Sequence, residues 1–218
     1  CLPWPTGNDA VKAAALPETF FTVWSNLFMV AGLKSGETVL IHGGAGGIGT
    51  AAIQIARAMG AIPLATAGGP EKCALCEELG ARAIDYKKDD FVEKVRDYTN
   101  GVGGNVILDI IGGSYFDQNL RALATEGRLV VISLQGGAKA DSVNLSRLMT
   151  QRLTVTGSTL RPRGAAYKGQ IAAELRAHIW PLLDNGTLAP VIHATVPFAR
   201  APESPAIVGD GAHTRQTA

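Results

Sequence analysis

Cysteine is scarce in this chain: Cys1, Cys73 and Cys76 are the only three. That number excludes a disulfide framework and fits a reducing, cytoplasmic setting. Long apolar runs are missing too. None reaches the roughly 18 residues that a membrane-spanning helix needs, and no basic-then-apolar leader opens the chain. A surplus of either charge is also absent, with 20 Lys and Arg against 19 Asp and Glu. Near-neutrality removes the electrostatic reason to expect nucleic acid or an anionic membrane as partner.

What the chain has in excess is glycine, 26 of 218 residues, well above the average share of about 7%. The glycines gather near 43–49, 101–104, 112–113 and 136–137, so they mark loops and not low complexity. The chain is long enough to bury a substantial core without metals or crosslinks.

Strand-like and helix-like stretches alternate. A short apolar run of the kind a buried parallel strand needs occurs at 38–42, and further short strands are expected at 62–66, 82–86, 105–110, 128–133 and 153–157. Between them, helical patterns fall over 71–79, 90–99 and 115–124, and Ile48, Ala52, Ile55 and Met59 make a helical stripe. This predicts an α/β fold: a doubly wound, parallel, six-stranded Rossmann sheet. The apolar run Ala13 to Val30 predicts one or two packed helices, with Phe20, Phe21, Trp24 and Phe28 at core spacing. Tyr167, Ile171, Leu175, Ile179 and Leu182 predict one long helix, and 188–197 an extended segment. No element is expected over 1–12 or the last twenty residues. The domain division expected is 1–12 as a linker or remnant, 13–185 as the nucleotide-binding unit, and 186–218 as a C-terminal return segment.

The loop His42-Gly43-Gly44-Ala45-Gly46-Gly47-Ile48-Gly49 satisfies GxGxxG at Gly44, Gly46 and Gly49. It lies between a predicted strand and a predicted helix. There the first glycine allows a tight turn, the second a close approach of backbone to a pyrophosphate, and the third close helix–strand packing. The helix N-terminus adds N–H groups and a favourable dipole. An NAD site places Asp or Glu at the end of the second strand. Here that position reads Ala65-Thr66-Ala67-Gly68-Gly69, followed by Glu71 and Lys72, with Tyr86 at the end of the third strand. A small pocket beside an ammonium suits a 2′-phosphate, so NADPH is the expected cofactor; Lys72 as a solvated helix residue is the alternative.

Other chemistries fit less well. Cys73 and Cys76 have CxxC spacing, but zinc needs about four ligands and one helix face explains the spacing. His42 either touches cofactor or is packed by its neighbours, and His178, His193 and His213 lie in unrelated segments. The Tyr-x-x-x-Lys pair of short-chain dehydrogenases does not occur. The acid that methyltransferases carry after the second strand is missing.

Four separated motifs occur in order: Leu16-Pro17-Glu18-Thr19-Phe20-Phe21-Thr22-Val23-Trp24, the glycine loop, Leu108-Asp109-Ile110-Ile111-Gly112-Gly113, and Gly157-Ser158-Thr159-Leu160-Arg161-Pro162-Arg163. Together they resemble the medium-chain dehydrogenase/reductase superfamily, in its zinc-free NADPH:quinone oxidoreductase branch, related to zeta-crystallin. The resemblance covers residues 13 to about 197. It implies a preceding GroES-like substrate domain to which the chain's end returns, so remnants of that domain are expected at both ends. It also implies cofactor contacts at Thr22, Gly44, Ala45, Gly46, Gly47, Ile48, Gly49, Gly68, Lys72, Tyr86, Ser133, Leu134, Leu160 and Arg161. No metal ligand and no single catalytic residue follow from it. The implied activity is hydride transfer to a quinone or activated alkene, and the implied assembly a homodimer through the edge strand. Most of the substrate domain is absent ahead of Cys1, and Ser204-Pro205 and Arg215-Gln216-Thr217-Ala218 depart from the family's C-terminal pattern. A truncated chain is therefore expected, with a non-enzymatic NADPH-binding module as the alternative function.

Overall fold

The six expected strands form one parallel sheet. In the computed structural model, which describes residues 2–6, 8–197, 199–200 and the backbone of 216–217, they are β1 (Thr38–Ile41), β2 (Ile62–Ala67), β3 (Arg82–Asp85), β4 (Gly104–Asp109), β5 (Leu123–Val131) and β6 (Thr154–Gly157). Their order is β3-β2-β1-β4-β5-β6, with every neighbouring pair parallel. The order reverses between β1 and β4, the switch point at which open α/β sheets bind ligands. A short strand, β7 (Ile192–Ala194), pairs separately with β8 (Gln216–Thr217).

The helices are α1 (Ala10–Ala14), α2 (Leu16–Trp24), α3 (Gly47–Ala58), α4 (Pro70–Glu78), α5 (Phe91–Tyr98), α6 (Phe116–Ala122), α7 (Leu145–Thr150), α8 (Ala165–His178) and α9 (Trp180–Asp184). A π-helical segment, Ser25–Val30, continues α2. Successive strand residues point to opposite faces, and both faces are covered. Val39, Ile41, Val106 and Leu108 join Phe20, Val23, Leu27, Ile53, Ile55, Ile171 and Leu175 on one side. Leu40 and Ile107 join Phe91, Val95, Leu120 and Leu129 on the other. Each fully buried aliphatic or aromatic side chain contributes about 1.5–3 kcal/mol, which is why Val39–Ile41 and Val106–Leu108 are unbroken apolar stretches.

Where structure and sequence pattern differ, the causes are local. The predicted helix over 115–124 ends at Ala122 because Leu123 already pairs with Gly104, so β5 starts five residues before Arg128. The long C-terminal helix is broken at Ile179, which ends α8 and begins α9 with Pro181 in its first turn. Proline has no N–H and crowds the preceding turn. Helix α7 escaped detection because Leu145 and Met149 stay exposed and give no buried stripe; Asn144 Oδ1 caps it at Arg147 N–H, 3.2 Å away. Asp9 similarly caps α1 inside a segment expected to be irregular. Of the extended segment 188–197, only Ile192–Ala194 is strand. Cys1, Ser204, Pro205, His213, Arg215 and Ala218 lie outside the described residues.

Arg128 fastens the start of the sheet. Its guanidinium meets Glu37 through two bonds of 2.9 and 2.6 Å and donates from Nε to the Ala31 carbonyl at 2.9 Å. The paired guanidinium holds the Glu37 carboxyl below its usual range, as a forked, partly buried ion pair should. Near the termini, Thr6 donates to Asp184 and Trp180 Nε1 to the Pro3 carbonyl at 2.8 Å.

Candidate functional site

The loop after β1 is shaped by close backbone packing. Gly43 is its residue of positive φ, +68°, so the tight turn expected at Gly44 falls one residue earlier. A Cβ on Gly44 would stand 2.6 Å from Ala65 Cβ and 2.8 Å from Cys76 Sγ. One on Gly49 would stand 2.3 Å from the Gly43 carbonyl oxygen and 2.6 Å from Gly44. Gly46 differs: its nearest neighbour would be the Gly43 oxygen at 3.4 Å. Gly46 is also the N-cap of α3 and provides no side-chain acceptor. The first-turn N–H groups of α3, from Gly47, Ile48 and Gly49, therefore have neither an intrahelical carbonyl nor a capping side chain.

A buried polar chain supports the loop from below. Gly44 N–H donates to the Thr66 carbonyl at 2.8 Å, and Gly43 N–H to Thr66 Oγ1 at 3.3 Å. Thr66 Oγ1 lies 3.0 Å from His42 Nδ1, and His42 Nε2 lies 2.7 Å from Asn119 Oδ1. Since Asn119 Oδ1 only accepts, Nε2 carries the proton and Nδ1 accepts from Thr66. His42 is 1% exposed and sits edge-on between Phe91 and Tyr115. Burial pushes its pKa down to about 4. Of the two readings of His42, the structure favours the packed residue.

At the ends of β2 and β3, Gly68 and Tyr86 meet: a Cβ on Gly68 would stand 2.7 Å from the Tyr86 hydroxyl and 3.2 Å from Lys87 Cε. Tyr86 is half exposed, and Lys72 sits half-buried in the first turn of α4. An acid does stand near this corner, but from the neighbouring strand. Asp85 Oδ1 accepts from Gly69 N–H at 3.0 Å and from Lys87 N–H at 3.2 Å. The Gly69 bond leads in holding the Asp85 carboxyl below its usual range. Reading only the end of β2 missed Asp85 and Lys87.

Two adjoining clefts open beside β5 and β6. One, of about 720 Å³, is lined by Thr22, Leu160 and Arg161 among others. The second, of about 530 Å³, is lined by Ser133 and Leu134. They share Ile132, Ser158 and Thr159. The site residues expected from the sequence thus fall into three groups: the glycine loop, the Gly68–Tyr86 corner with Lys72 on the adjacent helix, and the paired clefts. The glycine loop, the corner and the segments 132–134 and 158–161 follow C-terminal strand ends, while Thr22 comes from α2. Asn26, Ser158 and Lys168 also line the larger cleft and were not singled out by spacing.

The remaining candidates have other roles. Cys76 is buried beneath Gly44 and its thiol is pushed up to about 12 by burial. Burial also raises Cys73; such thiols stay protonated and unreactive. Trp24 stacks on Phe28 at 4.6 Å and on His178 at 5.5 Å and donates to Glu174, consistent with its core spacing. Among the described residues no cluster of His, Cys, Asp and Glu is arranged to hold a metal, and no helix is long and apolar enough to cross a membrane.

Residues 47–174 match the family model for zinc-binding dehydrogenases. The chain belongs to this family. Within the medium-chain dehydrogenase/reductase superfamily it falls in the quinone oxidoreductase-like branch. It is 30% identical to the quinone oxidoreductase of Rattus norvegicus over 203 residues, covering 93% of this chain and 60% of that protein. The solved quinone oxidoreductase of Thermus thermophilus, also known in complex with NADPH, superposes with a TM-score of 0.85 at 34% identity, covering 98% of this chain and 67% of that one. An NAD-dependent alcohol dehydrogenase gives 0.86 at 28% identity, covering 99% and 60%. The CurK enoyl reductase gives 0.82 at 28%, covering 99% and 64%. The chain spans about 60% of the length of the rat relative.

Proposed function

We propose that this chain holds NADPH along the C-terminal edge of its sheet, and that the protein reduces a quinone or an activated alkene. The observation that carries the reading is the contrast within the glycine loop. Gly44 and Gly49 are closed by packing, whereas Gly46 is open beside the uncapped start of α3. That is the arrangement a pyrophosphate needs.

In this reading the N–H groups of Gly47 and Ile48 bind the pyrophosphate and Gly46, whose own N–H donates to the Gly43 carbonyl, lets it approach, with Gly44, Ala45 and Gly49 holding the loop. Lys72, Tyr86 and Gly68 take the 2′-phosphate end. Asp85 stands beside this end as a carboxylate held at Oδ1 by the Gly69 and Lys87 N–H groups, and Lys88 Nζ, 3.8 Å from its Oδ2, offsets its charge. Thr22, Ser133, Leu134, Leu160 and Arg161 line the nicotinamide end. Bound NADPH supplies the hydride; the chain's own residues orient the ring and acceptor and exclude water. Positioning of this kind supplies a large part of a hydride-transfer rate, and no single acid or base is assigned. The nucleotide-binding unit is residues 13–185, with 1–12 and 186–218 as segments serving a substrate domain, and the cytoplasm is the proposed setting.

Titration of the purified chain by nicotinamide fluorescence is expected to show NADPH binding more tightly than NADH. Lys72→Ala should weaken NADPH roughly tenfold, as loss of a charge-assisted bond does, and leave NADH unchanged. Equal affinity for both cofactors would remove the 2′-phosphate assignment. Oxidation of NADPH by the same protein on addition of 1,4-benzoquinone separates a reductase from a non-enzymatic NADPH-binding module.

The proposed assembly is a homodimer through β6. Among the described residues this strand pairs only with β5, and open edges invite pairing. Val143, Leu145 and Met149 lie exposed just ahead of it. Light scattering at micromolar concentration is expected to give twice the chain mass, and a monomer rejects the assembly.

A further inference from the structure

We propose that Asn26 and Ser158 form a staple that sets the spacing between Thr22 and the 158–161 segment, on either side of the nicotinamide position. Asn26 is thereby a positioning residue for the cofactor. The inference rests on the reading that NADPH lies in this groove.

Asn26 is 1% exposed, and both ends of its amide are used. Nδ2 donates to the Thr22 carbonyl at 2.8 Å. Oδ1 accepts from Ser158 Oγ at 2.5 Å, across 132 residues of sequence. The partners fix the orientation of the amide, since a carbonyl can only accept. Asn26 lies in the π-helical segment, where Ala31 N–H reaches back five residues to the Asn26 carbonyl. Such widened turns are uncommon and occur often at functional sites. The Thr22 carbonyl gains a second side-chain donor, Ser25 Oγ, at 3.1 Å.

The opposite wall is fixed at both ends. Ser158 N–H donates to the Val131 carbonyl at 3.2 Å, and Lys168 Nζ to the Arg161 carbonyl at 2.9 Å. The Asn26–Ser158 bond is a direct polar tie between the two walls of the larger cleft, whose lining includes Thr22, Asn26, Ser158 and Arg161. Asn26 uses one end of its amide within its own helix and the other to reach a loop beside the cleft. A hydrogen bond made between the walls before the ligand arrives lowers the ordering cost of binding.

The test compares two ligands on the whole chain. NADPH reaches the cleft; 2′-phospho-ADP-ribose has the same phosphates and adenine but no nicotinamide. Asn26→Ala and Ser158→Ala are each expected to weaken NADPH roughly tenfold and to leave 2′-phospho-ADP-ribose within about twofold. The double variant should be no weaker than Asn26→Ala, which already loses the bond to Ser158 together with the one to Thr22. Ser158→Thr, which keeps the hydroxyl, should restore NADPH affinity. Equal weakening of both ligands, or of neither, overturns the staple, and so does additivity of the two changes. If Asn26→Ala fails to fold, Ser158→Ala in the half-buried loop gives the same answer alone. A wild-type chain that binds 2′-phospho-ADP-ribose as tightly as NADPH overturns the staple while keeping the phosphate sites. A chain that binds neither overturns the underlying NADPH reading itself.

Discussion

Gly49→Ala is expected to cost about 3 kcal/mol of folding stability and to abolish measurable NADPH binding, while Gly46→Ala leaves folding almost unchanged. Both exchange one hydrogen for one methyl in the same loop. At Gly49 the methyl would meet the Gly43 carbonyl oxygen at 2.3 Å and Gly44 backbone at 2.6 Å. Backbone in a turn cannot rotate aside as a side-chain tip can, so α3 must lift away from β1. At Gly46 the nearest atom is 3.4 Å away and φ is −80°, a conformation alanine adopts freely. Its methyl falls beside the proposed pyrophosphate position, so the expected effect there is on affinity. Thermal unfolding and NADPH titration of the two variants check the contrast. Equal melting temperatures would show that the loop tolerates a separation of α3 and β1 that its packing forbids.

The second large effect is one of pH. His42 has a folded pKa of about 4 against 6.5 for a free imidazole, because the dry pocket disfavours its charged form. The unfolded chain therefore binds a proton that the folded chain refuses between these values. Stability from this group is complete above pH 6.5, declines as pH falls and reaches its floor near pH 4, a total of about 3 kcal/mol. Groups around it modify the slope. Burial raises the Asp109 carboxyl, so that group favours the fold as pH falls, while Thr66 and Asn119 do not titrate. Denaturant titrations at pH 7, 5.5 and 4 on wild type and His42→Leu isolate the imidazole. The variant is expected to be weaker at pH 7, with Thr66 and Asn119 left unpaired, and markedly flatter with pH. An unchanged slope would assign the effect elsewhere. The same measurement followed by NADPH titration tests whether the polar chain through Thr66 to Gly43 keeps the loop in register.

Much of this was legible before any coordinates. Strand residues buried on both faces are mostly apolar, so Val39–Ile41 and Val106–Leu108 announce themselves, and the glycines between Ile41 and Thr50 mark a tightly packed loop. Legibility failed where a feature depended on a distant partner. Asp85 stands beside Gly69 only because β3 pairs with β2. The early start of β5 follows from a pairing of Leu123 with Gly104. Helix α7 keeps Leu145 and Met149 exposed and has no periodic stripe to read.

The sequence by itself determined the layers, the parallel character of the sheet and the position of the glycine loop, because burial and backbone sterics act on neighbouring residues and leave a periodic trace. Only the packing of distant segments shows which glycine has room beside it, that His42 is a neutral core group, and that Asn26 reaches Ser158. Each depends on atoms brought within about 3 Å of one another from segments far apart in the chain, and no local pattern encodes such a meeting.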